Sequence, residues 1–103
     1  MALVRWSNQA LADLEAIGDF IARDAPSVAQ VFVERVFAAV KRIETFPRSG
    51  RVVAEIGQED IREILFGSCR IVYVVSADEV IILTVFHAAR FLRPADLPGG
   101  ARQ

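Results

Sequence analysis

The chain has 103 residues, 53% of them apolar, and a formal net charge of −1 at pH 7. That length makes one domain, which buries roughly 60–70% of the surface its unfolded chain exposes: enough for one core, too little for a deep cavity. The absence of a global basic field excludes the bulk electrostatics that drive non-specific nucleic-acid binding.

Smaller features narrow the class further. No apolar run approaches the ~18 residues that a spanning helix needs. Arg5 interrupts the first apolar stretch before it could act as a secretory leader. A cytoplasmic protein without membrane contact is therefore expected. Cys69 is the single cysteine, which excludes an internal disulfide and argues against a structural zinc cluster. Eleven of the twelve cationic side chains are arginine, Lys41 being the exception. Arginine suits planar recognition of carboxylate and phosphate; codon bias produces the same skew.

Residues 2–6 are short and apolar around one arginine, and predict a first strand. Ser7 is a good N-cap. Behind it Ala10, Leu14, Ile17 and Ile21 recur at helical spacing. Ala25-Pro26-Ser27 breaks this helix, and Pro26 suits the first turn of the next. The second helix is predicted to run to about Phe46, with a core stripe of Ala29, Phe32, Val36, Val40 and Ile43. Val33 and Phe37 widen its apolar surface. Pro47 and Gly50 end it, and the short connection makes an antiparallel helical hairpin.

Three strands follow: Ile61 to Phe66, Arg70 to Val75 and Val80 to Phe86. All are rich in β-branched residues and are separated by turn-forming residues. Arg51 to Glu55 is a candidate short edge strand. The order is β-α-α-β-β-β, an α+β fold in which the helical hairpin packs on one face of a small antiparallel sheet. The opposite face is left free or partly free. Residues 1–93 form the domain, and 94–103, with two prolines and a Gly-Gly pair, a flexible tail.

Gly67-Ser68 as a two-residue turn sets Phe66 opposite Cys69, Leu65 opposite Arg70 and Arg62 opposite Tyr73. Alternation then puts Arg62, Ile64, Phe66, Cys69, Ile71 and Tyr73 on one face, and Glu63, Leu65, Arg70, Val72 and Val74 on the other. Arg70 is either an anion-holding residue on a concave sheet or a strand-end arginine in solvent or paired to Glu63. His87, the single histidine, is a candidate general base or a polar residue at a strand end. Tyr73 reads as a core aromatic. Glu59-Asp60 reads as a solvated pair. Nothing in the sequence argues for a cofactor or a metal site.

Taken in order, these residues resemble the RelE/ParE superfamily of bacterial toxins. The resemblance rests on Val4-Arg5-Trp6-Ser7 with Ala10, Asp13-Leu14 and Ile17, and on Pro26 with Ala29 and Phe32. It continues through Phe46-Pro47 with Ser49-Gly50-Arg51 and Val52-Val53-Ala54-Glu55. Ile61-Arg62-Glu63, Arg70-Ile71-Val72-Tyr73 and Val85-Phe86-His87 with Arg90 complete it, so that it spans residues 4–92. It implies a concave antiparallel sheet and a toxin of a type II toxin–antitoxin, or plasmid-stabilisation, module. Such a toxin is held by a cognate antitoxin in a hetero-oligomer.

Two activities divide that superfamily. RelE-like and YoeB-like members cleave mRNA at the ribosome; ParE-like members inhibit DNA gyrase by binding it. The lysine cluster of the RelE type is missing here. Arg70 and His87 fall where YoeB-like members place an arginine and a histidine, but Ala88 follows in place of a tyrosine. Cys69 stands where relatives usually carry a tyrosine. The ParE-like branch fits better, with gyrase as the target. Arg62, Arg70, Tyr73, His87 and Arg90 are then expected to bind the target, and Val33 and Phe37 the antitoxin. The alternatives are an mRNA endonuclease using Arg70 and His87, and a non-toxic module that binds the antitoxin.

Overall fold

Two breakers set the helical half of the molecule. In the computed structural model, which describes residues 2–87 and 93–98, Ser7 caps α1 (Asn8–Ala22), its side chain accepting from the Ala10 amide at 3.0 Å. Pro26 opens α2 (Pro26–Thr45). Pro fits there because the first helical amide has no partner to lose. The inward stripes are as the spacing requires: Ala10 and Leu14 from α1, and Ala29, Val36, Val40 and Ile43 from α2, are buried. Ile17 and Phe32 pack against the same cluster while partly exposed.

The strands are β1 (Leu3–Trp6), β2 (Arg51–Val52), β3 (Ile61–Phe66), β4 (Cys69–Ser76) and β5 (Glu79–His87). They form one sheet in the order β1-β5-β4-β3-β2. The α+β architecture is the expected one, with one refinement: β1 pairs with β5 in parallel, so the sheet is mixed. Local patterning cannot reveal this, because the direction of β1 depends on the long connection through both helices. The candidate strand after α2 is real but only two residues long, set antiparallel to β3. The β3–β4 register is the one a two-residue turn demands, with Phe66 opposite Cys69 and Arg62 opposite Tyr73.

A bulge shapes β5. Val72 faces Thr84 while Tyr73 faces Ile82, so Leu83 is an extra residue on β5. Beyond Ile82 the partner strand β1 has ended, and α1 takes over the exposed edge. Ser7 donates from its amide to Ile82 O and from its hydroxyl to Leu83 O. Asp13 accepts from the Val85 amide at 3.2 Å and from the Thr84 hydroxyl at 2.5 Å. A strand edge that would otherwise invite another chain is thereby closed from within.

The sheet has two cores, not one. The helix-facing side contributes Cys69, Ile71, Tyr73, Val75, Val80, Ile82 and Val85 to the main cluster. On the other side Val53, Ile61, Val72, Leu83, Phe86 and Leu97 form a second cluster. The face expected to be free or partly free is partly covered, by the segment after β2 and by Leu97. The tail expected to be loose is anchored there too: Pro94–Asp96 makes one 3-10 turn and Leu97 is buried. Residues 99–103 of that tail lie outside the described residues.

Gly50 seats the connection between α2 and β2 against the sheet. A Cβ at this position would lie 2.5 Å from the Tyr73 hydroxyl and 2.6 Å from the Glu63 carbonyl oxygen. Neither neighbour can retreat, one being backbone and the other a fully buried ring. Gly50→Ala is therefore expected to destabilise the fold by about 1–3 kcal/mol, read as a lowered midpoint in urea unfolding with an unchanged slope.

Candidate functional site

On the helix-facing side of the sheet, Arg62 and Tyr73 hold the turn that leads out of α2. The Arg62 guanidinium donates to three carbonyls: Gly50 O at 2.9 Å, Arg48 O at 3.2 Å and Glu59 O at 3.1 Å. Three backbone carbonyls converging on one cation explain why an arginine, with its planar fork of donors, stands here. Directly opposite, the Tyr73 hydroxyl accepts from the Gly50 amide at 2.9 Å. Tyr73 is 0% exposed, and burial pushes its phenol above the ordinary range, so the ring keeps its proton. It behaves as the core aromatic that its strand position suggests.

On the other side, Arg70 is 4% exposed. Its Nε donates to Glu63 at 2.5 Å, and its two terminal nitrogens grip Glu55 at 2.6 and 3.0 Å. Glu63, 2% exposed, accepts a second time, from Arg51 Nε at 2.9 Å. The Arg70 guanidinium also lies 5.3 Å from the centre of the Phe86 ring, within cation–π range. Its pKa is pushed up, first by the Glu55 hydrogen bonds and then, against the cost of burial, by Glu63. Of the two sequence-based readings of Arg70, pairing with Glu63 is observed. Glu55 is a further partner that the sequence did not suggest, because it lies in a turn fifteen residues away.

Of the five residues expected to bind the target, the three whose side chains are described do not share one face. Arg62 and Tyr73 lie on one face and Arg70 on the other, as strict alternation along β3 and β4 requires. The bulge that could have reunited them is in β5 and leaves β4 regular. Tyr73, with no exposed surface, cannot be a groove wall. His87 is the last residue of β5, with its backbone opposite Cys69; its side chain and the whole of Arg90 lie outside the described residues. Cys69 is buried, and desolvation raises its thiol pKa, which keeps it from acting as a thiolate nucleophile.

The two residues expected to meet an antitoxin are on one flank of α2. Val33 is half-buried against α1, and Phe37 is exposed, its ring 5.1 Å from that of Trp6. Leu11 and Phe20 of α1 and Val28 and Val31 of α2 are also exposed. An apolar surface spread along a helical hairpin is suited to contact with another protein rather than with a small polar ligand. Among the described residues, no cluster of three or more histidine, cysteine or acidic side chains is placed to hold a metal ion. Nor is any helix long and apolar enough to cross a membrane.

This architecture is shared. Residues 4–91 match the model of a family described as the ParE toxin of the parDE type II toxin–antitoxin system. The chain belongs to the ParE toxin family. It is 33% identical over 91 residues to Toxin RelE2 of Caulobacter vibrioides, covering 87% of this chain and 99% of that protein. It is 36% identical over 88 residues to the Y4kP protein of Sinorhizobium fredii, covering 82% and 86%. A solved structure titled as a chromosomal ParDE system from P. aeruginosa superimposes with a TM-score of 0.72 at 22% identity, over 84% of this chain and 96% of the other. At that identity it shows the fold. In this ParE-family toxin, the Gly50, Arg62 and Tyr73 positions quoted in the motifs above are those that seat the α2–β2 connection on the sheet.

The two faces of the Arg70 cluster differ in what their loss would cost. Arg70→Ala strands Glu63 and Glu55 without their shared cation, and is expected to destabilise by about 3–5 kcal/mol. Arg51, whose side chain is 64% exposed, is expected to cost below about 1 kcal/mol when replaced by alanine. Chemical unfolding of the two variants in parallel checks this ordering; equal losses would contradict it.

Proposed function

We propose that this protein is the toxin of a type II module, bound and neutralised by a cognate antitoxin, and that it arrests growth by binding DNA gyrase without chemically modifying it. The observation that carries the reading is the engagement of Arg70. A residue that serves as a phosphate-binding group in an mRNA nuclease must face the substrate. Here Arg70 is buried against Glu55, Glu63 and Phe86. Tyr73, with no exposed surface, is likewise out of reach of a substrate.

Within this reading the expected target-binding residues take different parts. Arg62, Arg70 and Tyr73 act by holding loops that present the surface. His87 and Arg90, at and beyond the end of β5, are assigned to direct contact. The Val33 and Phe37 flank of α2 is assigned to the antitoxin, for which its exposed apolar area is suited. A cytoplasmic site of action follows from the gyrase target.

The second reading, ribosome-dependent mRNA cleavage, is favoured by the identity to a protein named Toxin RelE2. Induction of the protein separates the two. The gyrase reading expects a DNA-damage response with intact mRNA; rapid mRNA cleavage within translated frames would contradict it. Growth without arrest would leave an inert antitoxin-binding module.

A further inference from the structure

Charge is divided along the helical hairpin. Residues 8–34 hold five carboxylates and one cation, Arg23; residues 35–51 hold five cations and one carboxylate, Glu44. The whole chain carries only −1, so the two segments offset each other and leave two opposed local fields. Around the corner where α1 gives way to α2, Glu15, Asp19, Asp24 and Glu34 are exposed and form no ion pair with any described residue. In the second half of α2 the same holds for Arg35, Lys41 and Arg42. A domain with separated fields of opposite sign attracts a second copy of itself end to end.

The two regions also differ in shape. The corner carries Phe20, 68% exposed, and Val28, also exposed. Asp19 and Asp24 flank Phe20 along the chain, and Arg23, the one cation there, lies 5.8 Å from the centre of its ring. At the basic end, Arg35, Ala38, Ala39 and Arg42 face Ile64 and Phe66 of β3 across a groove of about 520 Å³, with Arg51 on its rim. Arg35 and Arg42 are two helical turns apart, about 10 Å along the axis. The alanines between them leave room for an aromatic side chain. The one carboxylate lining the groove is Glu63, and its two oxygens already serve Arg51 and Arg70. An apolar floor with a cationic rim thus stands at one end, and an apolar tip with acidic neighbours at the other.

We propose that the hairpin corner of one copy of this chain seats in the arginine groove of a second copy. Phe20 enters between Arg35 and Arg42, and Asp19 and Asp24 meet their guanidiniums. A guanidinium against the ring adds cation–π attraction to the charge pairing. The two surfaces differ and belong to the same chain, so the contact is heterologous. Each pair leaves one corner and one groove unfilled, and growth continues into open chains or a ring. One corner in one groove is a contact of the small, transient class, so association depends on concentration. Copies joined in this way cover both surfaces, and self-association excludes any other use of them. Charge and shape carry this contact independently of any toxic activity.

Sedimentation velocity of the full chain over a wide concentration range reads it. At low ionic strength the weight-average mass is expected to rise with concentration without levelling at the dimer's. At about 1 M salt, where the screening length shrinks to about 3 Å, it should fall back towards the monomer's. Two variants on exposed positions separate the halves of the contact: Arg35→Glu with Arg42→Glu in the groove, and Asp19→Asn, Phe20→Ala and Asp24→Asn at the corner. Each alone should associate at least about tenfold more weakly than the parent. Mixed in equal amounts, they should form a one-to-one pair that grows no further, because one intact corner and one intact groove remain. Circular dichroism checks that both variants fold, and the salt dependence of the parent needs neither of them. A parent that stays monomeric at low salt, a mass that levels at the dimer's, variants that associate like the parent, or a mixture that stays monomeric would each overturn the proposal.

Discussion

Arg70, Glu63 and Glu55 come from three separate segments: β4, β3 and the turn that follows β2. Their pairing is what lets a charged residue stand in the buried part of the sheet. Taking an isolated guanidinium out of water costs far more than a small domain can absorb, so the carboxylates must arrive with it. Once they do, the 53–56 segment is drawn across the outer face, and Val53 and Ile56 meet Val72, Leu83 and Phe86 there. A buried ion pair contributes little net stability compared with an apolar replacement. Its effect here is to specify which segment covers which strand.

The same economy is visible at the edges of the sheet. The bulge at Leu83 turns Thr84 towards α1, where Asp13 receives it together with the Val85 amide. The polar groups of one edge are spent inside the molecule. Arg62 is likewise engaged by the carbonyls of residues 48, 50 and 59. Among the described residues, the surface that remains for other molecules includes the apolar hairpin face around Phe37 and the arginine-lined groove beside β3. Both are suited to protein partners.

Much of the fold was legible because its signals are local. Ser7, Pro26 and Pro47 mark helix ends through their own chemistry. The Gly67-Ser68 turn set the β3–β4 register, and with it the division of side chains between faces. The parallel entry of β1 was not legible, since it is decided by a connection of two helices. The candidate site was less readable for the same reason. Arg70 stood out as a charge in an apolar strand, but its main partner, Glu55, is brought to it by tertiary packing. The tight approach of Gly50 to Tyr73 and the role of Asp13 at the β5 edge are also long-range. Spacing along one chain carries no trace of them.

The central claim is that Arg70 serves the fold and does not itself touch the target. It is tested most directly by removing all three charges together: Arg70→Met, Glu55→Gln and Glu63→Gln in one protein. Neutral side chains of similar length leave no carboxylate stranded, so unfolding free energy should stay within about 1–2 kcal/mol of the parent. Growth arrest on induction should persist. A variant that folds normally by circular dichroism and melts like the parent, yet no longer arrests growth, would contradict the account and return Arg70 to the target-binding surface.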